Sequence, residues 1–282
     1  MILSHEIPQG SKLYFGKSAK IKRDLENLVS SILYQNHYEE IVTPIFSFLQ
    51  YQRNAQSRKV VRVNNQYNQP LALRNDSTID TFRLIAPHLK EKSMGKKWFY
   101  IQPIFIYPTT EIHQIGVENL EEGDILPFIA MSKEILEALN LKPFLQLSNA
   151  KIPQICAKEF GLDYEIFSKN NINILSKAHP FLAQLLEISH LEELEALYPK
   201  APQSLQEELK KLCILAKKIT YTPMILAPLC PSPMPYYDGV FFRFFLDNAT
   251  MILGGEYEME RQRACGFGIY TDCVILSYKG VL

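Results

Sequence analysis

The spacing of apolar residues changes several times along the chain, and each change predicts an element. Ile21, Leu25, Leu28, Val29, Ile32 and Leu33 follow the three-and-four period of an amphipathic helix. Residues 38–46, YEEIVTPIF, are rich in strand formers and carry Pro44. Residues 59–63 and 70–73 predict a hairpin around the polar loop 64–69. Asp76, Ser77 and Thr78 predict the start of a helix running to about residue 89, with Pro87 near its end. The stretch 98–118, WFYIQPIFIYPTTEIHQIGVE, predicts two apolar strands joined by a short turn. On the second strand Gln114, Gly116 and Glu118 point to one side, and Ile115 and Val117 to the other.

A helix is expected over about 124–139 and a short strand over 144–147. From about 151 to 220, Glu, Lys, Leu and Ala dominate in short helical periods such as Leu191, Leu194 and Leu197, punctuated by Pro153, Pro180, Pro199 and Pro202. Strand character returns at 224 in MILAPL, YYDGVFFRFF, ATMIL, ACGFGIY and CVILSY. The pattern predicts an α+β protein: one mostly antiparallel sheet flanked by helices, in a single domain over 1–282 with a helical insertion at about 151–222.

Composition narrows the function classes. The chain has 282 residues, 47% hydrophobic and 21% charged, with a formal net charge of zero, which suits a globular protein with a sizeable core. A neutral chain argues against a nucleic-acid binder. The lysine clusters at Lys17, Lys20, Lys22 and Arg23 and at Lys210, Lys211, Lys217 and Lys218 fall in helical patterns mixed with Glu, as solvated helix faces do. Five cysteines without a Cys-x-x-Cys pair predict reduced thiols in the cytoplasm. There is no signal-peptide pattern and no apolar run near the roughly 20 residues that span a membrane. His5, His37, His88, His179 and His190 lack metal-ligand spacing, so neither a metal nor a cofactor is expected.

Two features suggest ligand chemistry. Gln114 and Glu118 flank Gly116 on an apolar strand, where the glycine would leave space and the side chains would supply hydrogen bonds. Solvated sheet residues could look the same. Asp76 is equally a helix cap or a ligand group, and the two roles are compatible. His113 falls on the opposite face and reads as structural. Most of the aromatic run 236–245 reads as core, with one or two tyrosines as ligand candidates. Gly254-Gly255 reads as a turn after a strand, without the setting of a phosphate loop.

These pieces fall in a telling order. LALRNDST at 71–78, WFYIQPIF at 98–105 and HQIGVE at 113–118 are followed by YYDGVFF at 236–242, GGEY at 254–257 and GFG at 266–268. The chain resembles the catalytic domain of the histidyl-tRNA synthetases, a class II aminoacyl-tRNA synthetase fold, over nearly its whole length. The resemblance implies a partly kept amino-acid pocket. Asp76 would replace the glutamate that pairs with the ligand ammonium, with Arg74 and Thr78 in the same run. Gln114 and Glu118 match strand residues that contact the amino acid. Tyr237 and Tyr257 match its aromatic walls, with Tyr236 beside them.

It also implies lost adenylation chemistry, which needs cations around the phosphates. Ile106, Ser232, Glu256 and Cys273 stand where family arginines are expected, and Pro108 where a glutamate is. Arg243, Arg261 and Arg263 lie nearby at non-matching positions. No anticodon-binding domain is expected after Leu282.

A silent domain of this kind resembles the regulatory subunits of short-form ATP phosphoribosyltransferase in histidine biosynthesis. That resemblance implies a non-catalytic protein joined to a separate catalytic subunit in a hetero-octamer. It also implies pairing as a homodimer through the helix at 21–33 and the strand near Pro44, with free histidine as a candidate ligand. Two other readings stay open: a residual amino-acid-activating enzyme, and an orphan synthetase-like protein that binds another small ligand or protein.

Overall fold

A computed structural model describes residues 6–52, 60–89, 95–121 and 123–278. His5, the terminal residues 279–282 and Lys59, the expected start of the first hairpin strand, lie outside them. The elements in chain order begin with α1 (Lys17–Gln35), β1 (Glu39–Glu40), β2 (Phe46–Phe48), β3 (Arg62–Asn64) and β4 (Pro70–Leu73). Next come α2 (Ser77–Ile85), β5 (Lys97–Ile106), β6 (Thr110–Asn119), α3 (Leu126–Ala138) and β7 (Phe144–Asn149). The helices α4 (Lys151–Glu159), α5 (Tyr164–Ser168), α6 (Ile172–Ala178), α7 (Pro180–Glu187), α8 (Leu191–Leu197) and α9 (Gln203–Lys218) follow. The chain then runs through β8 (Met224–Leu226), β9 (Tyr237–Leu246), β10 (Ala249–Met259), β11 (Gln262–Tyr270) and α10 (Thr271–Ser277). No helix among the described residues is long and apolar enough to cross a membrane.

The chain divides into two compact units. The first holds residues 1–121, 137–141 and 266–282. Its larger sheet runs β1-β5-β6 and on to the end of β11. The β5–β6 hairpin is antiparallel throughout, from Lys97 opposite Asn119 to Ile106 opposite Thr110, as two apolar runs around a short turn require. A smaller antiparallel sheet runs β2-β4-β3. Helix α1 buries Leu25, Val29, Ile32 and Leu33, the stripe that its spacing dictates.

The second unit holds residues 122–136 and 142–265. From the first residues of β11 its sheet runs β10-β9-β7-β8, antiparallel except for the β7–β8 pair. Phe242 and Phe244 are fully buried on one face of β9, together with Leu145 and Leu147 of β7. Each such side chain stabilises the fold by about 1.5–3 kcal/mol relative to exposure. The architecture is α+β, dominated by antiparallel pairing, with helices around it.

Three local expectations are corrected. The run CVILSY forms most of helix α10 and not a strand. Its burial has a period of three: Thr271 and Val274 are buried, while Leu276 is 84% exposed. A four-residue apolar run such as Cys273–Leu276 does not distinguish helix from strand by itself. Gly254 and Gly255 lie inside β10, paired with Phe242 and Phe241, and not in a turn. The stretch 38–46, rich in strand formers, contributes to two short strands, β1 and β2, on either side of Pro44. Helix α2 ends at Ile85 and passes into a 3-10 turn at Ala86–His88, where Pro87 offers no N–H to continue the α ladder.

One buried cation ties the first unit together. Arg74, 1% exposed, follows β4 and turns inward. Its Nη1 donates to the Thr43 carbonyl at 2.7 Å and the Pro44 carbonyl at 3.2 Å. Its Nε and Nη2 both donate to the Pro103 carbonyl, at 3.1 and 2.8 Å. Arg74→Met is expected to lower the unfolding free energy by about 3 kcal/mol, since it leaves several buried carbonyls unpaired. Urea denaturation measures this, and a loss near zero would contradict the clamp.

Candidate functional site

In the first unit the site residues converge at the start of α2. Asp76 is the N-cap: the Ile79 N–H donates to its Oδ1 at 3.2 Å. This is the capping role that the sequence allowed, in a carboxylate only 6% exposed. Two residues on, Thr78 Oγ1 donates to Glu118 Oε1 at 2.6 Å. The Tyr100 hydroxyl lies 3.1 Å from Thr78 Oγ1. With Glu118 ionised, the order of donation is fixed. Thr78 gives its proton to the carboxylate, so Tyr100 donates to Thr78.

Tyr100 is the residue that sequence reasoning missed. Within an apolar run it reads as core. The signal was the hairpin register, which places Tyr100 directly opposite Gly116. A Cβ on Gly116 would lie 2.0 Å from Tyr100 Cζ. The expectation that this glycine leaves room for a ligand is therefore corrected: the tyrosine ring fills that room. The arrangement repeats one strand over, where a Cβ on Gly266 would lie 2.2 Å from Glu118 Oε2. Tyr100 thus lies flat across β6, and Glu118 flat across β11. Gln114, two residues along the same face from Gly116, is half-buried. Its side-chain amide has no hydrogen-bond partner among the described residues.

The electrostatics follow from this crowding. Burial pushes the Tyr100 phenol well above its ordinary value near 10, and the negative charges of Glu118 and Asp76 push it further. Arg74 was named with the pocket, but its donors point to the backbone carbonyls and to Thr43 Oγ1 at 3.2 Å. It supports the site from behind and presents no free fork to a ligand. His113 faces the other side, where the Tyr14 ring meets it edge-on at 5.3 Å. Burial and the nearby Lys22 hold its pKa below the usual imidazole range.

The second unit carries the tyrosines. Tyr237 and Tyr257 pair across β9 and β10 and are 7% and 1% exposed. Tyr236 packs edge-on against both, at 5.3 and 5.6 Å. Glu256, next to Tyr257 on β10, is half-buried, with its carboxylate across Gly239. The Val240 N–H donates to its Oε2 at 3.2 Å, and burial raises its pKa. Ser232 forms a local turn, its hydroxyl donating to the Met234 carbonyl at 2.7 Å. In the first unit, Cys273 lies half-buried on α10. Among the described residues no group of His, Cys, Asp and Glu is placed to hold a metal.

Gly116→Ala is expected to cost about 1–3 kcal/mol through the clash with Tyr100. Most of that cost should vanish in a Tyr100→Ala background, as a double-mutant cycle of urea midpoints would report. The raised Tyr100 pKa fixes a second sign. The folded state favours the neutral phenol, so its contribution is complete below pH ~10 and is lost as pH rises above that value. Tyr100→Phe should flatten the loss of stability between about pH 9 and 11.5. An unchanged slope would mean that Tyr100 is not the group responsible.

The chain is similar to known proteins along nearly all of its length. The family described as Histidyl-tRNA synthetase matches residues 15–274. The ATP phosphoribosyltransferase regulatory subunit of Wolinella succinogenes is 48% identical over 275 residues, covering 98% of this chain and 96% of that one. The protein of the same name from Helicobacter hepaticus is 45% identical and covers 98% of both. Among solved structures, an ATP phosphoribosyltransferase regulatory subunit/histidyl-tRNA synthetase from Bacillus halodurans superposes with a TM-score of 0.84. It is 17% identical and covers 99% of this chain and 85% of its own. A histidine–tRNA ligase subunit from Alicyclobacillus acidocaldarius gives a TM-score of 0.81 at 20% identity, covering 98% of this chain and 97% of its own. At those identities the two structures establish the fold, and the Wolinella and Helicobacter relatives establish the closer kinship. The chain belongs to the ATP phosphoribosyltransferase regulatory subunits, a family built on the histidyl-tRNA synthetase fold.

Proposed function

We propose that this chain is a non-catalytic regulatory subunit of ATP phosphoribosyltransferase in histidine biosynthesis, acting in the cytoplasm by joining a separate catalytic subunit. The observation that carries this reading is near-full-length identity of 48% and 45% to two proteins of that name. The site chemistry agrees with it. Asp76, Thr78, Gln114 and Glu118 in the first unit, and Tyr237 and Tyr257 in the second, are our candidates for holding an amino acid, with histidine the first to test. Arg74 in the first unit and Tyr236 in the second are secondary candidates. A carboxylate and neutral hydroxyls suit an ammonium and an imidazole, and they do nothing for a triphosphate. Regulation would follow from linkage: histidine shifts an assembly equilibrium by its difference in affinity between two states.

The assembly we propose is a hetero-octamer of four subunits of each kind, built on homodimers of this chain. The segment around β1 and β2 supports the homodimer. It exposes Val42 (77%), Ile45 (49%), Phe46 (57%) and Phe48 (51%), more apolar surface than one short segment normally leaves in water.

Four measurements test these readings. Purified with its candidate catalytic subunit, the chain should bind it and change its phosphoribosyltransferase activity; no complex and no change would refute the regulatory role. Alone, it should give no histidine-dependent ATP–pyrophosphate exchange, and exchange would favour an activating enzyme instead. Calorimetry should detect histidine binding that Glu118→Gln weakens by about tenfold or more, because the amide loses the charge that attracts the ammonium. If histidine does not bind, the pocket assignment fails while the regulatory role stands. Val42→Asp should shift the sedimenting species from dimer to monomer.

A further inference from the structure

On one face of the second unit's sheet, β7 and β9 set Phe144 opposite Phe245 and Gln146 opposite Arg243. The two phenyl rings stack, 5.7 Å apart at 25°. The Arg243 guanidinium lies over the Phe245 ring, 4.6 Å from its centroid. Its Nε donates to Gln146 Oε1 at 3.0 Å. Gln146, itself buried, donates in turn to the fully buried Ser148 Oγ at 3.0 Å. A ring therefore holds the guanidinium plane from beneath, and a buried amide holds its inner edge.

The outer edge is different. Nη1 and Nη2 carry four of the five guanidinium N–H donors, and neither has a hydrogen-bond partner among the described residues. No carboxylate pairs with Arg243 there. Arg243 and Phe245 are half-buried, and Phe144 is 43% exposed.

A surface arginine without a task keeps its head loose in water. This one is locked, and a planar fork held still is what two-point recognition of a carboxylate needs. An arginine beside partly exposed aromatic rings is also the composition of an interface anchor. We propose that the Arg243 fork and the Phe144–Phe245 stack form a docking point for an acidic side chain of a protein partner. Resting on the regulatory-subunit reading, that partner is the catalytic subunit. A protein side chain fits better than a small free anion. The fork takes the two carboxylate oxygens, and the exposed ring beside it gives contact only to a ligand that continues as apolar chain.

The test is calorimetric titration of the catalytic subunit with wild type, Arg243→Gln, Arg243→Lys and Phe144→Ser, at about 50 and 300 mM salt. Arg243→Gln and Phe144→Ser should each raise Kd by about tenfold or more. Arg243→Lys should recover little of the loss, because an ammonium does not bridge two oxygens. The salt dependence of binding should be shallower for Arg243→Gln than for wild type. Phe144→Ser should melt close to wild type because the ring is 43% exposed. Arg243→Gln and Arg243→Lys should melt somewhat lower because the buried Gln146 Oε1 loses its donor, and Kd is compared at a temperature where every variant is folded. A wild-type complex that Arg243→Gln and Phe144→Ser leave at wild-type Kd would overturn the docking point and spare the regulatory role. A wild-type chain that neither binds nor affects the catalytic subunit would instead overturn the reading beneath it.

Discussion

The guanidinium of Arg74 reaches three carbonyls on two segments far apart in sequence, those of Thr43 and Pro44 and that of Pro103. An arginine has no acceptor and does not lose its charge, so once buried it must find oxygens. That requirement holds the segment before β2, the middle of β5 and the turn between β4 and α2 together. The backbone follows the side chain: the Phe105 N–H donates to the Arg74 carbonyl at 2.9 Å, and the Arg74 N–H to the Ile45 carbonyl at 2.8 Å. The start of α2 therefore has little freedom relative to the hairpin below it. Asp76 and Thr78 inherit their positions from this arrangement. Without it, the contact from Thr78 to Glu118 would depend on a loop.

Above that foundation, the site is built of long side chains lying across glycines. A tyrosine standing upright from a sheet would fill the groove under α2. Laid across Gly116, it becomes a floor with its hydroxyl at the far end, within reach of Thr78. The same geometry brings Glu118 over Gly266. The Tyr100 hydroxyl and the Glu118 carboxylate come together at Thr78 Oγ1, and the bulk that carries them is buried. This explains how a site with two buried carboxylates and a buried phenol keeps hydrogen-bonded partners in a well-packed region.

Much of this was legible in the sequence. The apolar stripe of α1, the β5–β6 hairpin and the run of helices from α4 to α9 follow from periodicity and turn residues alone. The side of β6 that carries Gln114, Gly116 and Glu118 followed from strand alternation. The misses have physical causes. CVILSY is too short for its period to speak, and only the burial of Thr271 and Val274 makes it a helix. Gly254 and Gly255 look like a turn because isolation from their neighbours hides the aromatic residues they face on β9. Tyr100 was invisible as a site residue because its role depends on what lies opposite it. Counting back from the short turn would have supplied that neighbour. Arg74 was seen as part of a motif, but nothing local to the motif says that its head points inward.

Glu118 and Gly266 are separated by nearly 150 residues, yet they do not vary independently. Any residue with a β-carbon at 266 would lie 2.2 Å from the Glu118 carboxylate oxygen. It would also lie 2.4 Å from the Val117 carbonyl oxygen, a backbone atom that no substitution at 118 removes, so the glycine is required whether or not the carboxylate is kept. The dependence runs one way: the glutamate needs the glycine, and the glycine does not need the glutamate. A lineage that abandons the carboxylate therefore still keeps the glycine, and the space into which a glutamate could return stays open.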